Sequence, residues 1–204
     1  MRTAPRRASA LAASLLSLAV ATSACSGHSG GDSSSPGAAG SDGGSSATDP
    51  DAPPPLATTA TLGRVTGKLP KAKQSKVRRQ VARAVDAWFD AAYVAGNYPR
   101  NDFANAWPGF TTGAKADAHG DKQLMSNQSI GTKISAVDAK TRKVTVDVLG
   151  VKGRPAGATA RFVLRFATSG DMHRKIVVRG RLFLTPSKDG WRIFGYDVTK
   201  ARGA

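Results

Sequence analysis

The sequence predicts an α+β domain: one long amphipathic helix and further short helices, packed on an antiparallel sheet of four to five strands. Apolar residues recur at spacings of three and four over residues 75–95, and from Ile130 onward the period changes to two. Short breaks rich in Gly, Pro, Ser and Asp separate the period-two segments, which makes neighbouring strands antiparallel. A helical first half followed by long strands places the helix on one face of the sheet.

The helix is expected at residues 75–95, where Val77, Val81, Val85, Trp88, Phe89 and Ala92 share one face. Ser75 can serve as its N-cap after Pro70, and Gly96 with Pro99 ends it. Lys76, Arg78, Arg79 and Arg83 fall in its first turns, where cations oppose the helix dipole. Either tertiary packing holds the helix regardless, or these side chains face an anionic partner. Residues 101–128 are the least regular. Phe103, Trp107 and Phe110 are spaced as in a short helix or two broken by Pro108-Gly109, with Trp107 and Phe110 as lids of the core. Residues 112–121 form another helical turn that Gly120 stops. Strands are expected at 131–138, 143–151, 158–168, 174–185 and 191–199, with turns at 139–141, 153–157, 169–171 and 186–190.

Ahead of this domain the chain divides into residues 1–24, an export signal, and 25–55, a tether; the domain takes 56–204. Arg2, Arg6 and Arg7 precede an uncharged stretch, residues 8–21, rich in Ala, Leu and Val, which is the layout of a secretory signal. That stretch is too short to span a bilayer, which takes about 20 apolar residues. It closes on Ala21-Thr22-Ser23-Ala24-Cys25, and Cys25 is the only cysteine. The pattern resembles a bacterial lipobox, in which small residues precede a cysteine that receives diacylglycerol before cleavage on its N-terminal side. Thr22 departs from the Leu most often found there. The resemblance implies a protein held by lipid on the extracytoplasmic face of the cell membrane. Residues 26–55 are almost entirely Ser, Gly, Ala, Asp, Pro and Thr, a composition that cannot offset the entropy of ordering. Such a tether has a root-mean-square reach of about 30 Å.

The order of elements carries a second resemblance. One long helix, an irregular helical stretch and then four or five long strands are similar to the nuclear-transport-factor-2-like, or cystatin-like cone, fold. The last strand, Asp189-Gly190-Trp191-Arg192-Ile193-Phe194-Gly195-Tyr196-Asp197-Val198, resembles that of many extracytoplasmic members. The likeness covers about residues 71–199 and implies a curved, cone-like antiparallel sheet. Such domains serve as enzymes, ligand binders and non-catalytic envelope parts, so function has to be read from the side chains.

Enzymes of that fold work with Asp, Tyr or His groups in the cavity of the cone. The resemblance makes Asp86, Asp90 and Tyr93 on the helix, and Asp117, His119 and Asp121 in the irregular stretch, the candidates for proton transfer or for lining a small-molecule site. Against this, Asp86 and Asp90 lie within reach of Arg83 or solvent as ordinary helix-surface charges, and residues 117–121 read as a polar loop. The same Asp-x-His-x-Asp has no partner pattern elsewhere to make it a metal site. A single thiol excludes an internal disulfide framework and any multi-cysteine metal centre. No phosphate loop and no nucleophile elbow occur. His28 reads as filler in the tether, and His173, beside Arg174 and Lys175, as solvated. The expectation is a chain without catalytic, metal or cofactor site.

Charge is the more informative signal. The chain carries 30 Lys+Arg against 14 acids, all of them Asp, for a formal +16. From Leu56 onward 27 Lys+Arg face 10 Asp, or +17, so the positive charge belongs to the domain. Phe162, Leu164, Phe166, Ile176, Val178, Leu182 and Leu184 alternate with Arg161, Arg165, Arg179 and Arg181, which places the four arginines together on the face opposite the core. Arg192, between Trp191 and Ile193, extends the stripe, and Arg78, Arg79 and Arg83 add to the positive field. Three readings of this face stand: a solvated surface; attraction to anionic lipid headgroups or wall polymers, each cation adding about 1 kcal/mol near an anionic membrane; or docking onto an acidic envelope protein. Nucleic acid is not expected, since the export signal removes the domain from the cytoplasm and no aromatic-interleaved binding motif occurs. The sequence therefore points to a non-catalytic, lipid-anchored envelope protein whose basic domain meets an envelope partner or an anionic surface. The runner-up is a small-molecule binder or proton-transfer enzyme using the cone's cavity.

Overall fold

The computed structural model describes residues 56–203; the expected export signal, Cys25 and the expected tether fall outside the described residues. Among the described residues no helix is long and apolar enough to cross a membrane. The fold is α+β, a five-stranded, mostly antiparallel open sheet in the order β1-β2-β3-β4-β5 with helices against one face. The strands are β1 Thr59–Gly67, β2 Ala136–Val151, β3 Arg154–Ser169, β4 Arg174–Ser187 and β5 Gly190–Arg202. Helix α1, Lys71–Phe89, runs without a break into a wider π-helical turn, Asp90–Val94. Two shorter helices follow, α2 Thr112–Gly120 and α3 Lys122–Met125.

The core lies between α1 and the inner face of the sheet. Val77, Val81, Val85, Trp88 and Phe89 of α1 are buried against Val144, Val146, Phe162, Leu164, Phe166, Val178 and Leu182. Trp88 is its hub: its ring meets Phe162 edge-on at 5.3 Å and Tyr93 at 5.4 Å. Trp107 and Phe110 are buried as the sequence implied, and Phe103 with them, but all three sit in irregular turns and not in a helix. The π-helical turn opens three carbonyls, and each finds a donor. Arg100 Nη2 donates to Ala91 O at 2.9 Å, Asn127 N to Ala92 O at 2.9 Å, and Asn127 Nδ2 and Tyr98 Oη to Tyr93 O, each at 2.9 Å.

Several expectations are corrected. The helix begins at Lys71, directly after Pro70, so Ser75 is an interior residue and caps nothing. Segments 131–138 and 143–151 are not two strands; after a short 3-10 turn, Gly131–Lys133, they form one long β2. The expected turn at 139–141 is a bulge, where Ala139 pairs with Phe166 and Thr141 with Arg165. The turn expected at 153–157 is tighter and earlier: Val151 pairs with Arg154 across Lys152 (φ 50°) and Gly153 (φ 72°). The fifth strand of the sheet is β1, which the sequence did not announce. It pairs parallel with β2, from Thr59 opposite Lys143 to Gly67 opposite Gly150. A parallel neighbour requires a long crossover, and the whole helical segment supplies it.

Candidate interaction surface

The register of the sheet lays its outer face out in rows. Thr145, Arg161, Arg181 and Asp197 are cross-strand neighbours over β2 to β5. One row toward the start of β2 lie Lys143, Val163, Arg179 and Thr199, and beyond them Thr141, Arg165, Val177 and Ala201. Arg161, Arg165, Arg179 and Arg181 are therefore co-facial and all exposed. Arg192, opposite Thr185, is exposed at the far end of β4 and β5.

Arg161 stands directly across from Arg181, which by itself is a repulsive pair. Each is neutralised from the flank. Arg161 grips Asp147 through Nε to Oδ2 at 2.9 Å and Nη2 to Oδ1 at 3.1 Å, and Arg181 Nη2 reaches Asp197 Oδ2 at 2.5 Å. Burial would raise the Asp147 carboxyl, but the hydrogen bonds from Arg161 and from the Arg64 N–H outweigh it and hold the group below its ordinary value. Both pairs are solvent-exposed, where water and salt screen them, so they add little to stability. Their larger consequence is electrostatic. Asp197 lies in the row of Arg181 and Asp147 one row beyond it, both acids are spent on these two arginines, and among the described residues Lys143, Arg165, Arg179 and Arg192 have no carboxylate partner.

The remaining arginines of the sequence reading do not join this face. Arg78, Arg79 and Arg83 lie on α1 along the edge of β1, where with Thr58 and Ala60 they line a separate trough. Arg78 Nη1 donates to Ala60 O at 3.1 Å. The eight arginines thus form two groups on different elements.

The acids of α1 also differ from expectation. Asp86 and Asp90 pair not with Arg83 but with Arg142 of β2, whose guanidinium is buried between them, with Nη1 at 2.8 Å from Asp90 Oδ1. Tyr93 is fully buried and its hydroxyl donates to Leu124 O at 2.6 Å. His119 is exposed and meets Trp107 edge-on at 5.7 Å. Asp117 is exposed, and Asp121 accepts from the Tyr196 hydroxyl at 2.8 Å. Asp90, Tyr93 and His119 thus each have a separate environment, and the space between α1 and the sheet is filled by Trp88, Phe89, Tyr93, Phe162 and Phe166. Among the described residues no group of three His, Cys, Asp or Glu could hold a metal ion.

Three features were missed. Lys143 was legible, since it alternates with Val144 and Val146 just as the arginines alternate in β3 and β4. The ion-pair acids Asp147 and Asp197 needed the register. The third is an apolar end of the same face, where Leu149 faces Phe183 and Phe194 across Gly157 and Thr159. Strict alternation from Trp191 sends Phe194 outward but also Tyr196; a bulge between Phe183 and Leu184 turns Tyr196 back in, so its hydroxyl reaches Asp121. No family model, curated protein or solved structure matches the chain.

Proposed function

We propose that this chain is a non-catalytic, lipid-anchored protein of a bacterial cell envelope, held outside the membrane by Cys25. Its domain, a cone-like relative of the nuclear-transport-factor-2-like fold, presents the outer face of its sheet to an anionic envelope surface or partner. The observation that carries this reading is the charge balance of that face: Lys143, Arg165, Arg179 and Arg192 are exposed, and no acid among the described residues pairs with them. The anchor is supported by the position of the sole cysteine behind small residues at the end of an export signal. Two or more acyl chains hold a protein stably where one does not, so a diacylglyceryl cysteine suffices without a spanning helix.

Cys25→Ala tests the anchor: the chain is expected to move from the membrane fraction to the soluble one, or to stall unprocessed. In that unlipidated chain the face is tested on vesicles of phosphatidylglycerol and phosphatidylcholine in equal parts at low ionic strength. Reversing two cations, Arg165→Asp with Arg179→Asp, is expected to weaken binding by at least about tenfold. A parent chain that ignores these vesicles, or a reversed chain that binds as well, rejects the anionic-surface reading.

A further inference from the structure

The outer face has a second component that cations alone do not explain. At the end of the sheet away from Lys143, Phe194 is 55 % exposed, Leu149 46 % and Val151 49 %, and the Phe183 ring lies tilted against Phe194 at 6.3 Å. Leu149, Phe183 and Phe194 line a recess of about 730 Å³ together with Gly157 and Thr159, and its polar lining is Arg64 and the Arg161–Asp147 pair. Exposed aromatic and aliphatic groups gathered at one place on a soluble surface are unfavourable unless something covers them.

We propose that this end of the sheet enters an anionic bilayer, with Phe194, Phe183 and Leu149 among the acyl carbons and Arg179, Arg165 and Lys143 on the headgroups. The inference rests on the lipid-anchored reading above and specifies the surface that the face meets. Three arguments choose the occupant. A second copy of the chain laid on this face would oppose arginine to arginine, which repels. A hydrophilic anionic polymer would satisfy the cations and leave Phe194 and Leu149 in water. A bilayer offers phosphate and hydrocarbon at adjacent depths, and on the lipid-anchored reading Cys25 stands only about 30 residues ahead of the domain. An acidic protein with an apolar anchor would match the same chemistry, but nothing in the chain holds the domain next to it.

The test uses the full chain carrying Cys25→Ala and the same phosphatidylglycerol–phosphatidylcholine vesicles. Phe194→Ala with Leu149→Ala is expected to weaken binding about tenfold or more while every cation stays in place. What binding remains is expected to vanish in high salt, whereas the parent retains a salt-resistant part. Because both side chains are half exposed, the variant is expected to melt like its parent. In a separate Phe194→Trp chain, the new indole's emission is expected to shift to the blue on binding and to be quenched by brominated acyl chains. Parent and double variant binding equally, with an unmoved Phe194→Trp spectrum, would overturn insertion and leave the electrostatic contact standing. A parent that ignores the vesicles overturns both readings. A parent that ignores them yet binds polyaspartate through the same residues assigns the face to an acidic protein instead.

Discussion

Lys200 and Arg142 are both withdrawn from solvent, and their surroundings differ in kind. Arg142 lies between two carboxylates; burial alone would lower its pKa, but the hydrogen bond to Asp90 and the charges of Asp86 and Asp90 win and raise it. Lys200 has only neutral acceptors: its Nζ donates to Ser126 O at 2.6 Å, Gln123 O at 3.1 Å and Asn127 Oδ1 at 3.3 Å, and lies 5.4 Å from the centre of the Tyr93 ring. Without an anion to offset burial, its ammonium is pushed down to about 8 from the ordinary 10.5. Between those values the unfolded chain keeps a proton that the folded one has released, so stability rises with pH through that window. Below about 8 both forms are protonated and the cost is constant. Above about 10 the slope reverses, because burial and, for Tyr196, the neighbouring Asp121 hold the Tyr93 and Tyr196 hydroxyls above their ordinary value. Urea unfolding is therefore expected to show a rising midpoint from about pH 8 to pH 9.5 in the parent and little rise in Lys200→Met. Equal slopes in the two chains would show that the ammonium is as well solvated by its three carbonyls as by water.

At the scale of elements, legibility followed regularity and burial. The face of α1 and the π-helical turn after it could be read because their six apolar positions keep a helical period and all are buried. Its start could not: Lys71-Ala72-Lys73-Gln74 has no apolar beat, and the first turn is set by Pro70, with Gln74 Nε2 returning to Leu69 O at 2.7 Å. Strands β3 and β4 alternate cleanly, so the co-facial arginines were visible from spacing alone. Edge strand β1 has no buried residue and so no alternation to read. The apolar end of the face was hidden for another reason, since it is assembled from four strands through two bulges. Pairing of β4 with β5 makes a further demand that spacing does not show. Gly180 pairs with Phe162 on one side and Val198 on the other, and a Cβ there would lie 2.0 Å from Asp197 O and 2.8 Å from Val198 Cα. Backbone on both counts has nowhere to move, so Gly180→Ala is expected to cost about 3 kcal/mol by denaturant unfolding. Gly120→Ala, at the open end of α2 with nothing near its Cβ, is the control and is expected to be neutral or slightly stabilising. A Gly180→Ala chain as stable as the control would mean that the two strands can slide apart cheaply.

For the molecule as a whole, the domain's +17 sets two quantities against each other. The folded state concentrates like charge in a small volume, and five salt bridges among the described residues, three on the surface and two to the buried Arg142, relieve only a small part of it. Added salt screens repulsion and attraction alike, but repulsive pairs dominate where cations outnumber acids so heavily. The Cys25→Ala chain is therefore expected to melt higher when sodium chloride is raised from about 0.01 M, where the Debye length is about 30 Å, to about 0.15 M, where it is about 8 Å. The gain should be on the order of 1 kcal/mol. Arg165→Asp with Arg179→Asp, which removes four units of net positive charge, is expected to be the more stable chain at low salt and to lose that advantage as salt rises. Over the same range, binding of the parent to anionic vesicles is expected to weaken. Stability and binding thus respond to one variable with opposite signs, which links them to the same cations: a face tuned for folding alone would carry more acids. A melting temperature that falls with salt would mean that Asp147–Arg161, Asp197–Arg181 and the buried Arg142 pairs outweigh the repulsion. The unpartnered arginines would then be no burden on the fold, and their exposure would no longer speak for an anionic surface.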